Sequence, residues 1–157
     1  MPLPALTDYG LLPPGVHDCT LDELAEVFGQ FQHSTRRLTL LDKIRGFLSE
    51  AWKVDEGVEV LIDGSFIMSK VDEPGDVDVI LLLPPDWDFT ADLPPFKYNA
   101  LSRRMVHRMH DFDMLVGVQG RPSATEAIEY FCKVNVKWTE QLKIPAGTVK
   151  GIIRVKR

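Results

Sequence analysis

The sequence predicts an α/β (α+β) domain in which helices flank a small mixed β-sheet. Apolar residues recur at helical spacing over some segments and alternate with polar residues over others, and the two patterns follow one another along the chain. Apolar residues make up 45% and charged residues 26% of the 157 positions. This composition is that of one globular domain and excludes a largely disordered or fibrous chain.

The N-terminal segment is predicted to be an extended arm or a leading loop. Residues 1–17 hold four prolines and two glycines and predict an extended arm, which leaves residues 18–157 as a single domain. No apolar run approaches the ~20 residues of a membrane span, and no basic segment opens the chain as in a secretion signal. We therefore expect a soluble, cytoplasmic protein with no membrane partner.

Capping signals, turn residues and the change of period predict the individual elements. The predicted order begins with two helices, a strand and a short helix. It continues with a strand, a helix, a strand and a helix, and it ends with a short edge strand. The predicted elements are a helix from a capping box at Thr20 to Gly29, a helix capped by Ser34 and ending before residue 55, strands over 58–63, 77–83, 112–118 and 152–155, a short helix over 66–70, a helix over 95–110, and a helix from a capping box at Ser123 to Trp138.

Charge is distributed unevenly along the chain. Residues 50–92 hold twelve acidic residues and two lysines, whereas basic residues cluster at 103–108 and 143–157. This pattern is consistent with a metal site flanked by phosphate-binding groups, but the basic clusters by themselves favour solvated faces on a helix and a tail. The net charge of −5 argues against a protein that coats nucleic acid.

The most informative segment follows the strand predicted over 58–63. Gly64 and Ser65 stand where that strand ends and the short helix begins. Backbone N–H groups and a hydroxyl at such a turn favour binding of phosphate oxygens. Glycine allows a ligand to approach the backbone closely, because it has no Cβ.

Acidic residues follow this turn at a spacing that predicts a cation site. Ten residues separate Ser65 from Asp76, and Asp78 lies two positions further on, so both carboxylates are expected on one face of the next strand. A third acid is expected from the strand over 112–118, with Asp113 as the candidate and Asp111 as its competitor. Carboxylates grouped in this way repel one another unless a divalent cation binds between them.

The combined pattern resembles the polymerase-β-like nucleotidyltransferase superfamily. The resemblance covers residues 58–118 and rests on Ile62 to Phe66, Asp76 to Val79, and Phe112 to Met114. The whole chain also resembles a family of short bacterial nucleotidyltransferase-like proteins of unknown function. That second resemblance rests on residues 12–17, residues 63–66 with Lys70, and residues 150–153.

The resemblance implies a minimal nucleotidyltransferase fold and a reaction. Asp76, Asp78 and Asp113 would be catalytic and would bind Mg²⁺ or Mn²⁺, and Gly64 and Ser65 would hold the phosphates of a nucleoside triphosphate. A nucleoside monophosphate would pass to a hydroxyl of an RNA or protein acceptor, with release of pyrophosphate. Relatives of this size also suggest a bacterial toxin–antitoxin or defence module.

Further residues have two interpretations each. Lys70 could contact a phosphate or be a solvated lysine, and Arg103 with Arg104 could face the triphosphate or water. Trp87 and Phe89 could stack on a base or anchor their loop in the core.

The alternative function is a catalytically silent binding or regulatory protein of the same fold, such as an antitoxin or nucleotide sensor. The short chain favours it, because it leaves no separate domain to hold the base and the acceptor.

Overall fold

The centre of the molecule is a five-stranded mixed β-sheet, described here from a computed structural model that covers residues 3–29, 35–75 and 77–157. Six α-helices lie within these ranges, so the α/β prediction is confirmed. The strands are β1 (Val16–Thr20), β2 (Glu59–Asp63), β3 (Asp78–Leu83), β4 (Asp113–Val118) and β5 (Ile152–Lys156). The helices are α1 (Leu21–Phe28), α2 (Arg36–Ala51), α3 (Pro95–Leu101), α4 (Arg103–His110), α5 (Pro122–Cys132) and α6 (Val136–Gln141).

The order of the strands across the sheet is β1-β5-β2-β3-β4. Strand β2 pairs antiparallel with both β5 and β3, whereas the outer pairs β1–β5 and β3–β4 are parallel. The parallel pair β3–β4 is joined through α3 and α4, because parallel strands need a long crossover connection. The sheet is therefore mixed, as the sequence predicts.

The two faces of the sheet pack against different helices. Alternate residues such as Val60, Ile62 and Val79 belong to a large core shared with α1, α2 and α4. Residues of the other register, such as Leu61 and Ile80, pack against α5. Apolar side chains are thus buried on both faces of the central strands, which explains their nearly continuous hydrophobic runs.

The N-terminal segment packs against the rest of the chain. Leu11 and Leu12 are buried, and the backbone carbonyl of Leu12 accepts a hydrogen bond from Gly151 N at 2.9 Å. The strand predicted at an edge, β5, lies inside the sheet, because β1 pairs with it along its whole length. The predicted edge position of β5 is wrong, because the sequence of β1, Val16–Thr20, lacks a clear alternation of apolar residues and does not by itself predict a strand.

Several helix boundaries are as predicted and others are not. The Thr20–Glu23 capping box is present and α1 ends at Gly29, whereas the predicted cap Ser34 lies outside the described residues. The helix predicted over 95–110 is two helices, because extended backbone at Ser102 ends α3 and its side chain caps α4. The second predicted capping box is absent: Ser123 lies inside α5, where its Oγ accepts a hydrogen bond from Val118 N at 3.0 Å.

The last predicted helix, 123–138, is also divided. Extended backbone at Lys133 ends α5, and the side chain of Asn135 caps α6. Lys133 instead forms a β-bridge with Val149. A pairing with a residue so far along the chain overrides the helical pattern, and no local signal in the sequence reveals it.

A buried arginine fixes the segment that follows β2. Arg37 on α2 has no exposed surface, and its guanidinium donates hydrogen bonds to four backbone carbonyls. These belong to Phe28, Phe66, Met68 and Val71, with N–O distances of 2.6–3.1 Å. Burial lowers the pKa of Arg37 to about 10, and the nearby carboxylate of Asp72 opposes that shift. The side chain thus ties α1, α2 and the segment 66–71 together.

We expect Arg37→Met to lower the free energy of unfolding by about 3 kcal/mol or more, because it leaves four carbonyls without their donor. Chemical denaturation followed by circular dichroism measures this change. The matched control is Arg45→Met, which removes an exposed arginine 3.6 Å from Asp42. That change is expected to stay within about 0.5 kcal/mol. Equal stability of the two variants would contradict the role given to Arg37.

Candidate functional site

Three carboxylates stand at one register across three neighbouring strands. Asp63 is the last residue of β2, Asp78 the first of β3 and Asp113 the first of β4. Asp63 pairs directly with Asp78, and Asp78 pairs with Asp113. Residues that pair directly place their side chains on the same face, and adjacent strands lie about 4.8 Å apart. We call these three residues the carboxylate row.

The first member of the row is buried and has a cationic partner. Asp63 is 1% exposed and Lys150 is 4% exposed. The Nζ atom of Lys150 donates to Asp63 Oδ1 at 2.6 Å and to the backbone carbonyl of Phe131 at 2.8 Å. A buried charge is tolerated when it is paired and hydrogen-bonded, and this ion pair meets both conditions.

The other end of the row is open to solvent. Asp113 is exposed, and among the described residues no cationic side chain forms an ion pair with it. Its competitor Asp111 lies before the strand, in left-handed backbone at the C-terminal end of α4. The Asp111 carboxylate is 3.9 Å from Nε2 of His107 and lies outside the row. The structure therefore brings Asp113 to the site and leaves Asp111 beside it.

The turn after Asp63 has a backbone conformation that requires glycine at its first position. Gly64 has φ 89° and ψ −173°, a conformation almost restricted to glycine. Ser65 to Ile67 form a single 3₁₀ turn in place of the short helix predicted over 66–70, and Ser65 is buried. Gly64, Ser65 and the carboxylate row border the same cavity.

That cavity has a volume of about 730 Å³, within the range of small-molecule sites. Its lining combines the carboxylate row with cationic side chains and with aromatic rings on α5 and α6. The cationic and aromatic lining residues are Arg103, Lys133, Lys150, Tyr130, Phe131 and Trp138. A cavity with both signs of charge fits a ligand that carries phosphates together with cations.

Two predicted site residues are not among the described lining residues. Asp76 lies outside the described residues, so its position relative to Asp78 stays a prediction. Lys70 does not line the cavity, because its Nζ donates to the backbone carbonyl of Asp8. Arg103 does line it, which favours the cavity-facing interpretation of that residue.

The aromatic residues of the loop after β3 lie far from the row. Trp87 and Phe89 border a separate cavity with Leu83 and Val116, near the opposite ends of β3 and β4. Leu83 lies five positions after Asp78 on β3, about 16 Å away at ~3.3 Å per residue. Trp87 packs against the main core, which supports its interpretation as a loop anchor.

A comparison with protein families gives one result. A model described as "Family of unknown function (DUF6932)" matches residues 4–156. The chain belongs to this family. No match was found among curated proteins or among solved structures. The family extends over the N-terminal segment as well as the sheet, in agreement with the packing of Leu11 and Leu12, and its description assigns no activity.

The sequence analysis did not identify two residues of the candidate site, Asp63 and Lys150. Asp63 was part of the motif but was not given a role, although it is an acid at the end of an apolar strand. Lys150 belongs to the basic cluster at 143–157 and to a resemblance, although it stands just before an apolar strand, as Asp63 stands at the end of one. A search for an acidic and a basic residue at the ends of adjacent buried strands could have found the pair. Such a search requires knowing that β2 pairs with β5, which the sequence does not show.

No helix of the described ranges is long and apolar enough to cross a membrane.

We expect Gly64→Ala to lower the free energy of unfolding by about 1–3 kcal/mol, because a Cβ strains this backbone conformation. Gly46→Ala is the matched control. Gly46 lies inside α2, where the added Cβ would meet only His110 Cε1 at 3.9 Å. That variant should gain about 0.5–1 kcal/mol, since alanine favours helix. Denaturant unfolding of both variants measures the difference, and a Gly64→Ala protein as stable as wild type would contradict the description of the turn.

Proposed function

We propose that the protein is a metal-dependent nucleotidyltransferase that transfers a nucleoside monophosphate from a nucleoside triphosphate to a hydroxyl of an RNA or protein acceptor. The observation that carries the proposal is the carboxylate row at the edge of a cavity that also holds cationic side chains. The sequence resemblance to polymerase-β-like nucleotidyltransferases supports the same reaction. The acceptor, the nucleotide and any role in a toxin–antitoxin or defence module belong to the proposal.

The donor atoms suit Mg²⁺ or Mn²⁺. Carboxylate oxygens are the ligands that both ions prefer, and Asp78 and Asp113 offer them on adjacent paired strands. Within the described ranges, no group of three or more acidic, histidine or cysteine side chains could hold a metal ion by itself. The proposed ion therefore binds through one or two carboxylates and takes its other ligands from water and substrate phosphates, as Mg²⁺ does. Asp76 is proposed as a further ligand.

Each residue of the site has a task in the proposed reaction. Gly64 and Ser65 bind phosphate oxygens of the triphosphate at the turn after β2. Asp113, at the exposed end of the row, orients the acceptor hydroxyl and accepts its proton as the hydroxyl attacks the α-phosphorus. Pyrophosphate leaves in the same reaction. The bound metal would supply charge neutralisation of the phosphates.

The cavity offers a place for the nucleoside without a separate domain. The ring of Tyr130 is 69% exposed at the cavity, and a base can stack on such a ring without sequence preference. Trp138 is less available, because the ammonium of Lys137 lies 4.7 Å from the centre of its ring. We therefore expect weak discrimination between the four bases.

Thermal unfolding with each nucleoside triphosphate tests whether the site binds a metal–nucleotide complex. We expect stabilisation that requires Mg²⁺ or Mn²⁺, about 2.7 kcal/mol at a hundredfold excess over Kd. The double variant Asp78→Asn/Asp113→Asn should lose it. Asp111→Asn is the matched control and should keep it, because Asp111 lies outside the row and asparagine tolerates its left-handed backbone. Equal stabilisation of the double variant would contradict the proposed site.

Transfer itself is tested with nucleotides labelled at the α- or the γ-phosphate and incubated with a cell extract as the source of acceptors. We expect the α-label, and not the γ-label, to become attached to macromolecules with wild type and Asp111→Asn but not with Asp113→Asn. Sensitivity of the product to nuclease or protease identifies the acceptor class. Metal-dependent nucleotide binding without any transfer would contradict the proposed transferase activity. It would support the alternative, a catalytically silent nucleotide sensor of the same fold.

A further inference from the structure

The ion pair between Lys150 and Asp63 calls for an explanation beyond stability. Both side chains are almost fully buried, and both line the cavity. An apolar pair of similar volume often stabilises a fold as well as a buried ion pair does, so such a pair is weak evidence for a structural role. Its position against the cavity points to a role in binding.

The Lys150 ammonium retains a hydrogen-bond donor for a ligand. A lysine ammonium carries three N–H donors. Two of them donate to Asp63 Oδ1 at 2.6 Å and to the Phe131 carbonyl at 2.8 Å, and no other described residue accepts the third. A buried donor without an acceptor is costly, and an oxygen of a ligand in the cavity would satisfy it.

A second lysine is held beside the first by backbone pairing. Lys133 forms a β-bridge with Val149, and Lys150 N donates to the Cys132 carbonyl at 2.9 Å. Lys133 is exposed and also lines the cavity. Lys133 and Lys150 thus place two cationic residues in the lining of one cavity, and we call this pair the lysine wall. Its charge suits an anion with several phosphate groups better than a single carboxylate.

We propose that the lysine wall forms part of the polyphosphate site together with the Gly64–Ser65 turn, and that Lys150 donates a hydrogen bond to the pyrophosphate part of the substrate from inside the cavity. This inference rests on the proposed function for the identity of that substrate. Asp63 holds the Lys150 side chain in place and is not a metal ligand. The metal would then bind at the Asp78–Asp113 end of the carboxylate row.

Calorimetric titration with inorganic pyrophosphate in excess Mg²⁺ tests the proposal. The variant is Asp63→Asn/Lys150→Met, because Lys150→Met alone would remove the ammonium group that neutralises a buried carboxylate. Removal of the Asp63 charge should favour anion binding, so any loss of affinity comes from Lys150. We expect Kd to rise at least about tenfold, the size expected for one charge-assisted hydrogen bond. Lys53→Met removes an exposed lysine outside the lining and is the control, with Kd unchanged.

A second variant decides the outcome if the double variant does not fold. Lys133→Met alters an exposed side chain and should raise Kd about threefold, a surface-charge effect that falls with salt. Unchanged affinity in every folded variant, or no pyrophosphate binding by wild type, would overturn the inference. If Asp78→Asn/Asp113→Asn binds pyrophosphate like wild type while the lysine variants do not, the lysine wall stands and the proposed metal site fails. If the lysine variants bind pyrophosphate like wild type while Asp78→Asn/Asp113→Asn does not, the proposed function stands and the role given to the lysine wall is wrong.

Discussion

The buried ion pair between Asp63 and Lys150 is the interaction on which the candidate site depends. Asp63 ends β2 and Lys150 stands just before β5, so the pair joins the ends of two adjacent antiparallel strands. It also compensates the charge of the most buried member of the carboxylate row. Without Lys150, three carboxylates would stand side by side at one register, with one of them enclosed. With it, the negative charge of the row is concentrated at Asp78 and Asp113, where the cavity is accessible.

The support behind the site comes from parts of the chain that are distant in sequence. Arg37 holds the backbone of residues 66–71, directly after the Gly64–Ser65 turn. The N-terminal segment contacts two parts of the chain that border the cavity. The carbonyl of Gly10 accepts hydrogen bonds from Ser69, and the carbonyl of Leu12 accepts one from Gly151, the residue after Lys150. Gly151 has no room for a side chain, since a Cβ there would lie 2.2 Å from the Pro13 carbonyl. The N-terminal segment is therefore part of what shapes the cavity.

The fold class and the central strands could be predicted from the sequence, because they depend on local signals. The same holds for Gly64, Ser65, Asp78 and Asp113, which border the cavity. The runs around Val60, Val79 and Met114 and the capping box at Thr20 belong to this group. The rest depends on pairing between distant segments. Strand β1 becomes recognisable only beside β5, the division of the last helix depends on the Lys133–Val149 bridge, and the partnership of Asp63 with Lys150 spans 87 positions. No periodicity within a short window encodes such contacts.

The central claim is that the carboxylate row binds a divalent cation together with the phosphates of a nucleotide. A crystal structure of the protein with Mn²⁺ and a non-hydrolysable nucleoside triphosphate analogue tests it most directly, because anomalous scattering identifies the ion. The account predicts an anomalous peak about 2–2.3 Å from carboxylate oxygens of both Asp78 and Asp113, with phosphate oxygens completing its coordination. Two results would contradict it. One is a nucleotide bound in the cavity without Mn²⁺ at the carboxylate row, and the other is binding of both Mn²⁺ and the nucleotide outside the cavity.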